Sequence, residues 1–121
     1  MSKKKCEVAL FNGVLNEVKF MQIDIPDLQQ GELLVRITCA TICGSDLHTV
    51  QGKRKAQLPL VLGHEMLGIV EKIEGTEVIK DYWGQEIREG SRVTWSLVWS
   101  CKKCYRCLSG FPHKCYNLFK Y

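Results

Sequence analysis

Cys43-Gly44-Ser45-Asp46-Leu47-His48, followed by Gly63-His64-Glu65, is the stretch around which this chain organises. An apolar run from Leu33 to Cys39, opened by Gly31, leads into it and reads as a strand. Ser45 then reads as the cap of one short helical turn through Val50, which sets Asp46 and His48 just beyond Cys43. Leu58 to Leu62 leads into Gly63-His64-Glu65, and Met66 to Ile73 leaves it as another strand. A thiol and an imidazole, Cys43 and His64, form the mixed pair that catalytic zinc prefers, with room for a third protein ligand and a water or substrate. Either fragment alone is weak, because a lone Cys or His usually packs into a core. Both in order, ahead of a cysteine-rich tail, carry more.

That tail is Cys101, Cys104, Cys107 and Cys115, a C-x2-C-x2-C-x7-C run. Tight turns at these gaps can aim four thiolates inward at a closed tetrahedral zinc site. The segment is rich in Cys, Lys, Arg and His, so it has little apolar material to fold on, and a bound ion supplies the missing folding energy. Two disulfides are the rival arrangement. Seven cysteines without an export signal favour thiols held for metal in a reducing, cytoplasmic compartment. Cys6 and Cys39, outside both clusters, read as small buried hydrophobes in strands.

Outward from these motifs the pattern stays β. Val8 to Phe11 ends at Asn12-Gly13, a hairpin signal, and Val18 to Ile25 reads as the returning strand before Pro26. Arg92 to Leu97 reads as a strand after a polar, inserted stretch from Glu74 to Gly90. The sum is an all-β barrel or sandwich of short strands. At 121 residues and 45% hydrophobic, the chain suffices for one core. Its net charge of +4 concentrates at Lys3 to Lys5, at Lys53 to Lys55 and in the cysteine lobe. No stretch approaches the roughly 18 uninterrupted apolar residues of a membrane span, and no membrane partner is expected.

Taken together, the three motifs resemble the N-terminal catalytic domain of the zinc-dependent alcohol dehydrogenases of the medium-chain dehydrogenase/reductase family. The resemblance runs from the Ala9 hairpin to Tyr121. It implies a mainly β, GroES-like Greek-key barrel over residues 1–121, with short helical turns and a structural zinc lobe at 99–117. Asp81 to Val93 and the segment from Cys101 onward are also similar to a branch found beside phosphonate-use genes.

The resemblance further implies roles. Cys43 and His64 become ligands of a catalytic zinc, and Glu65 a neighbouring glutamate that approaches the metal. Ser45 takes the alcohol's proton and His48 forms the outer end of a relay to solvent. Asp46 accepts a hydrogen bond from His64, and Leu97 lines the substrate pocket. Plainer readings stand beside these: a helix cap for Ser45, an exposed histidine for His48, a surface carboxylate for Asp46 and a core leucine for Leu97. The implied activity is zinc-polarised oxidation of a small alcohol or polyol by hydride transfer to NAD or NADP. The family's third ligand and its dinucleotide-binding domain have no counterpart within these residues, since no G-x-G-x-x-G is present. The chain is therefore expected to be a fragment, inactive alone, with a weakly held catalytic metal, of a protein that self-associates. Lys53, Arg54 and Lys55 are expected to edge the active-site mouth, which would suit an anionic substrate.

A zinc-binding module contacting nucleic acid or protein is the alternative. Lys102, Lys103, Arg106, His113 and Lys114 crowd the lobe, with Tyr105, Phe111 and Tyr116 between them. A four-thiolate zinc centre carries net charge near −2, however, and nearby cations offset it without nucleic acid. The module reading also leaves Cys43, Ser45, Asp46, His48 and His64 without a role, so no nucleic-acid partner is expected.

Overall fold

The computed structural model describes residues 4–120, Lys120 by its backbone. Lys3 and Tyr121, the start of the first basic run and the end of the resemblance, lie outside them. Among the described residues, eight short strands form two three-stranded antiparallel sheets and a two-stranded ribbon. In the first sheet β1 (Lys5–Phe11) lies between β2 (Lys19–Asp24) and β4 (Leu60–Val61). In the second, β5 (Glu65–Ile73) lies between β3 (Leu33–Thr41) and β6 (Arg92–Thr94). The chain crosses to the second sheet for β3, returns for β4 and crosses again for β5.

The first hairpin departs from the sequence reading. Asn12-Gly13 does not make a two-residue turn, because Leu10 pairs with Lys19 and residues 12–18 form a longer loop. That loop is held from outside: the Asn16 N–H donates to Val50 O at 2.9 Å, and the Leu15 side chain covers Gly52. A tight turn would forgo both contacts. The strand from Arg92 also ends early, at Thr94 rather than Leu97. Val98–Trp99 instead forms β7, pairing antiparallel with Phe119–Lys120, β8, so that a ribbon brackets the cysteine lobe. The inserted stretch folds into an arm whose turn is built on Asp81. Its Oδ1 accepts the N–H groups of Trp83 at 2.9 Å and Gln85 at 2.8 Å.

The centre of the second sheet is its tightest point. Val70 is 1% exposed, and Phe11 and Cys115 are the other buried hydrophobic side chains among those described. Gly68 pairs with both Ile37 and Val93, and a Cβ there would lie 2.5 Å from Val35 Cγ1 and 2.7 Å from Arg36 O. Only glycine permits that approach. The ladder between β3 and β5 is bulged between Ile37 and Cys39. The extra residue, Thr38, donates its hydroxyl to Leu67 O at 3.1 Å. Beyond the bulge Cys39 stands opposite Leu67 and Thr41 opposite Glu65. Cys39 is exposed rather than buried, because the register step turns it to an uncovered part of the sheet.

The surface is large. The accessible area is 9596 Å², against about 6,700 Å² for a compact monomer of this length. Much of the surplus is apolar: Phe20 on β2 is 73% exposed and Ile42, beside Cys43, is 79% exposed. No helix among the described residues is long and apolar enough to cross a membrane.

Candidate metal centres

The first centre forms where β3 runs into a short helix. α1 spans Gly44–Val50, and its N-cap is Cys43 rather than Ser45. Asp46, at the third helical position, explains the shift: its Oδ2 accepts the Cys43 N–H at 3.0 Å and closes the first turn one residue earlier. Thr49, buried, donates its hydroxyl to Ser45 O at 2.9 Å and ties down the same turn. The cap presents the Cys43 thiol to the side of the sheet. Gly63, in a left-handed conformation at φ 95°, turns the chain from β4 into His64 and β5.

These two junctions bring Cys43, His64 and Glu65 together, with one potential ligand atom from each lying within 4.8 Å of the others. The His64 ring is gripped at both ends. Asp46 Oδ1 lies 3.1 Å from Nδ1 and Ser45 Oγ lies 3.4 Å from Nε2. A carboxylate oxygen accepts, so Nδ1 carries the proton and Nε2 presents its lone pair. The Cys43 thiol is held below its ordinary range, first by the Ser45 N–H and then by the Ser45 hydroxyl. Burial and the Glu65 charge oppose this. An easily ionised thiol, an imidazole with a free lone pair and a carboxylate are a donor set that suits zinc.

An open cleft of about 330 Å³ adjoins this cluster, and His64, Glu65, Thr41, Trp95 and Leu97 are among its lining residues. Leu97 is 43% exposed there, not a core leucine. His48 is exposed on α1, apart from the cluster contacts. Thr41 and Trp95 escaped the sequence reading. Each stands two residues from a residue it did single out, Cys43 and Leu97, and strand alternation offers that signal. Arg54 and Lys55 line a second cleft with Phe11, Leu15 and Leu58, which shares no lining residue with the first. Lys53, Arg54 and Lys55 are not among the residues that line the Leu97 cleft, and the 12–18 loop packs against Val50 and Gly52 just before them.

In the second centre Cys104 caps α2 (Tyr105–Leu108), Cys107 lies on that helix, and Cys115 follows a 3-10 turn at Pro112–Lys114. The sulfurs of Cys104 and Cys107 are 3.5 Å apart, those of Cys104 and Cys115 3.9 Å, and those of Cys101 and Cys107 4.0 Å. Zinc–sulfur bonds near 2.3 Å give a tetrahedron with edges of about 3.8 Å, so the quartet fits that ion. No pair is a disulfide. The N–H groups of Cys101 and Asn117 each donate to Cys115 Sγ at 3.3 Å.

The thiols do not share their protons evenly. Cys104 is lowered to about 6, chiefly by the Tyr116 N–H and then that of Cys107. Cys107 is pushed up to about 11, first by burial and then by the Cys104 sulfur. Four crowded sulfurs cannot all ionise unaided, and a dication removes that conflict. One basic and one aromatic side chain of the lobe contact each other: Arg106 donates to Lys114 O at 3.0 Å and lies 4.4 Å over the Tyr116 ring.

Compared with known families, residues 29–121 match the alcohol dehydrogenase GroES-like domain. The 5-exo-hydroxycamphor dehydrogenase of Pseudomonas putida is 39% identical over 93 residues, which are 76% of this chain and 26% of that protein. An alcohol dehydrogenase from Thermotoga maritima superposes with a TM-score of 0.87 at 30% identity, over 98% of this chain and 32% of that one. An alcohol dehydrogenase from E. coli CFT073, solved with NADH, gives a TM-score of 0.77 at 32% identity, over 95% and 31%. This chain spans about a quarter to a third of the length of these relatives.

Proposed function

The chain belongs to the alcohol dehydrogenase GroES-like domain family, and from that premise we propose that it is the substrate- and zinc-binding part of an NAD(P)-dependent alcohol or polyol dehydrogenase. Its mainly β architecture is that of the family's GroES-like domain. The observation that carries the proposal is the convergence of Cys43, His64 and Glu65 within 4.8 Å beside an open cleft.

Zinc bound there would supply Lewis-acid polarisation of an alcohol oxygen. Cys43 Sγ and His64 Nε2 are the ligands on this reading, with Glu65 as an oxygen donor beside them. Asp46 keeps the proton on Nδ1 and so keeps the Nε2 lone pair available. Ser45 Oγ now faces that lone pair; on this reading it takes the alcohol's proton as it gives up its own hydroxyl proton towards solvent. His48, three residues along α1 and exposed, passes the proton to solvent. Leu97 and Trp95 orient the substrate's carbon skeleton through apolar contact. The four-cysteine lobe takes the structural zinc.

The nicotinamide is NAD or NADP, by analogy with relatives solved with NADH and with NADP, and on this reading polypeptide outside these residues holds it. The exposed apolar surface suits self-association of the native polypeptide. The test is to load the native polypeptide carrying this chain with zinc and screen secondary alcohols and polyols with NAD and NADP, following nicotinamide absorbance. Zinc-dependent turnover that disappears in C43S and H64A is the expected result. Full zinc loading with no turnover on any alcohol in either cofactor would count against the proposal.

A further inference from the structure

Thr41 has no assigned part in the site, yet its hydroxyl makes a short bond to one of the site's acids: Thr41 Oγ1 donates to Glu65 Oε2 at 2.6 Å. A neutral hydroxyl bond to a carboxylate at that length is charge-assisted. The two residues face each other across the β3–β5 ladder because of the bulge at Thr38. Without that extra residue, the pairing of Ile37 with Gly68 would carry on in step and bring Thr41 opposite His64. Both residues border the cleft that also exposes His64.

We propose that Thr41 is a positioning residue that holds the Glu65 carboxylate at the metal centre, so that Glu65 serves as an oxygen ligand beside Cys43 and His64. An exposed glutamate loses rotamer freedom when it is fixed, and that loss weakens metal binding unless another contact has already made it. Thr41 is well suited to restrain it, because a β-branched residue has a stiff χ1. Glu65 Oε2 accepts from the hydroxyl, a carboxylate keeps lone pairs to spare on both oxygens, and one of its oxygens lies within 4.8 Å of the sulfur and nitrogen donors. The inference rests on reading Cys43, His64 and Glu65 as a metal centre.

Cobalt(II) titration of the chain, with the four-cysteine lobe already loaded with zinc, tests it. The thiolate charge-transfer band reports Cys43 ligation. T41V keeps the shape and removes the donor; T41S keeps the donor. The expected result is cobalt affinity weaker by about tenfold in T41V, in the range for lost ligand-orienting partners, and near parental in T41S. In an E65A background T41V should change nothing, an independence that a general folding defect would not produce. Equal affinity of T41V and the parent, or an undiminished T41V effect without Glu65, overturns the role of Thr41. Absence of a cobalt band in the parent overturns the metal reading of the cluster and this inference with it.

Discussion

The four-cysteine lobe and the Cys43–His64–Glu65 centre collect their donors in opposite ways. The lobe draws four sulfurs from one stretch, Cys101 to Cys115, on its own helical turns and between the strands of its own ribbon. The other centre takes its thiol from the end of β3 and its imidazole and carboxylate from the start of β5. Its geometry is inherited from a bulged ladder between distant strands. A metal that closes a short local loop meets little chain entropy, whereas one bridging two strands depends on the sheet's register. Locality makes the first centre autonomous and the second contingent.

The largest expected effect breaks the autonomous side. C104S should empty the lobe of zinc and unfold it, since zinc binding at such sites supplies about 10 kcal/mol or more of folding free energy. Zinc analysis and amide exchange would follow it, with β3 and β5 keeping their protection. Full zinc retention by C104S would remove the contrast. Graded chelation probes the same difference without mutation. The chelator should strip the Cys43 centre first and leave the four cysteines loaded; the reverse order would exchange the structural and catalytic assignments.

G68A attacks the contingent side through the sheet. The new methyl would press on Val35 and the Arg36 carbonyl and cost about 3 kcal/mol. Denaturant melts should show that loss, metal affinity at the Cys43 centre should fall with it, and the lobe should keep its zinc. Smaller still is D46N, which keeps the side chain's size and leaves an amide against His64 Nδ1. Metal affinity at that centre should drop about tenfold to hundredfold while the melt moves little. A large stability loss with unchanged metal affinity would make Asp46 mainly the closure of the α1 turn.

The strands at Val8, Leu33 and Met66 were legible because their apolar runs end at glycine, proline or polar breaks. The clustering of the four sulfurs was legible because the cysteines are local in the chain. The 12–18 loop was not, since Asn12-Gly13 carries a tight-turn signal and the contacts that overrule it come from Val50 and Gly52. Ser45 drew the cap assignment by residue type, yet Asp46 reaches back to the Cys43 N–H and starts the helix there.

By itself the sequence determined which side chains could bear metal chemistry and how far apart along the chain they stand, as well as the mainly β character of what joins them. Those properties follow from residue type, spacing and alternation. Tertiary structure alone decided that Ser45 closes the His64 ring on the side away from Asp46, that Thr41 rather than a neighbour meets Glu65, and that Arg54 and Lys55 line a separate cleft. Each depends on where a strand lies against its partner. A single bulged residue at Thr38 moves every later pairing by one position, and no local propensity encodes that step.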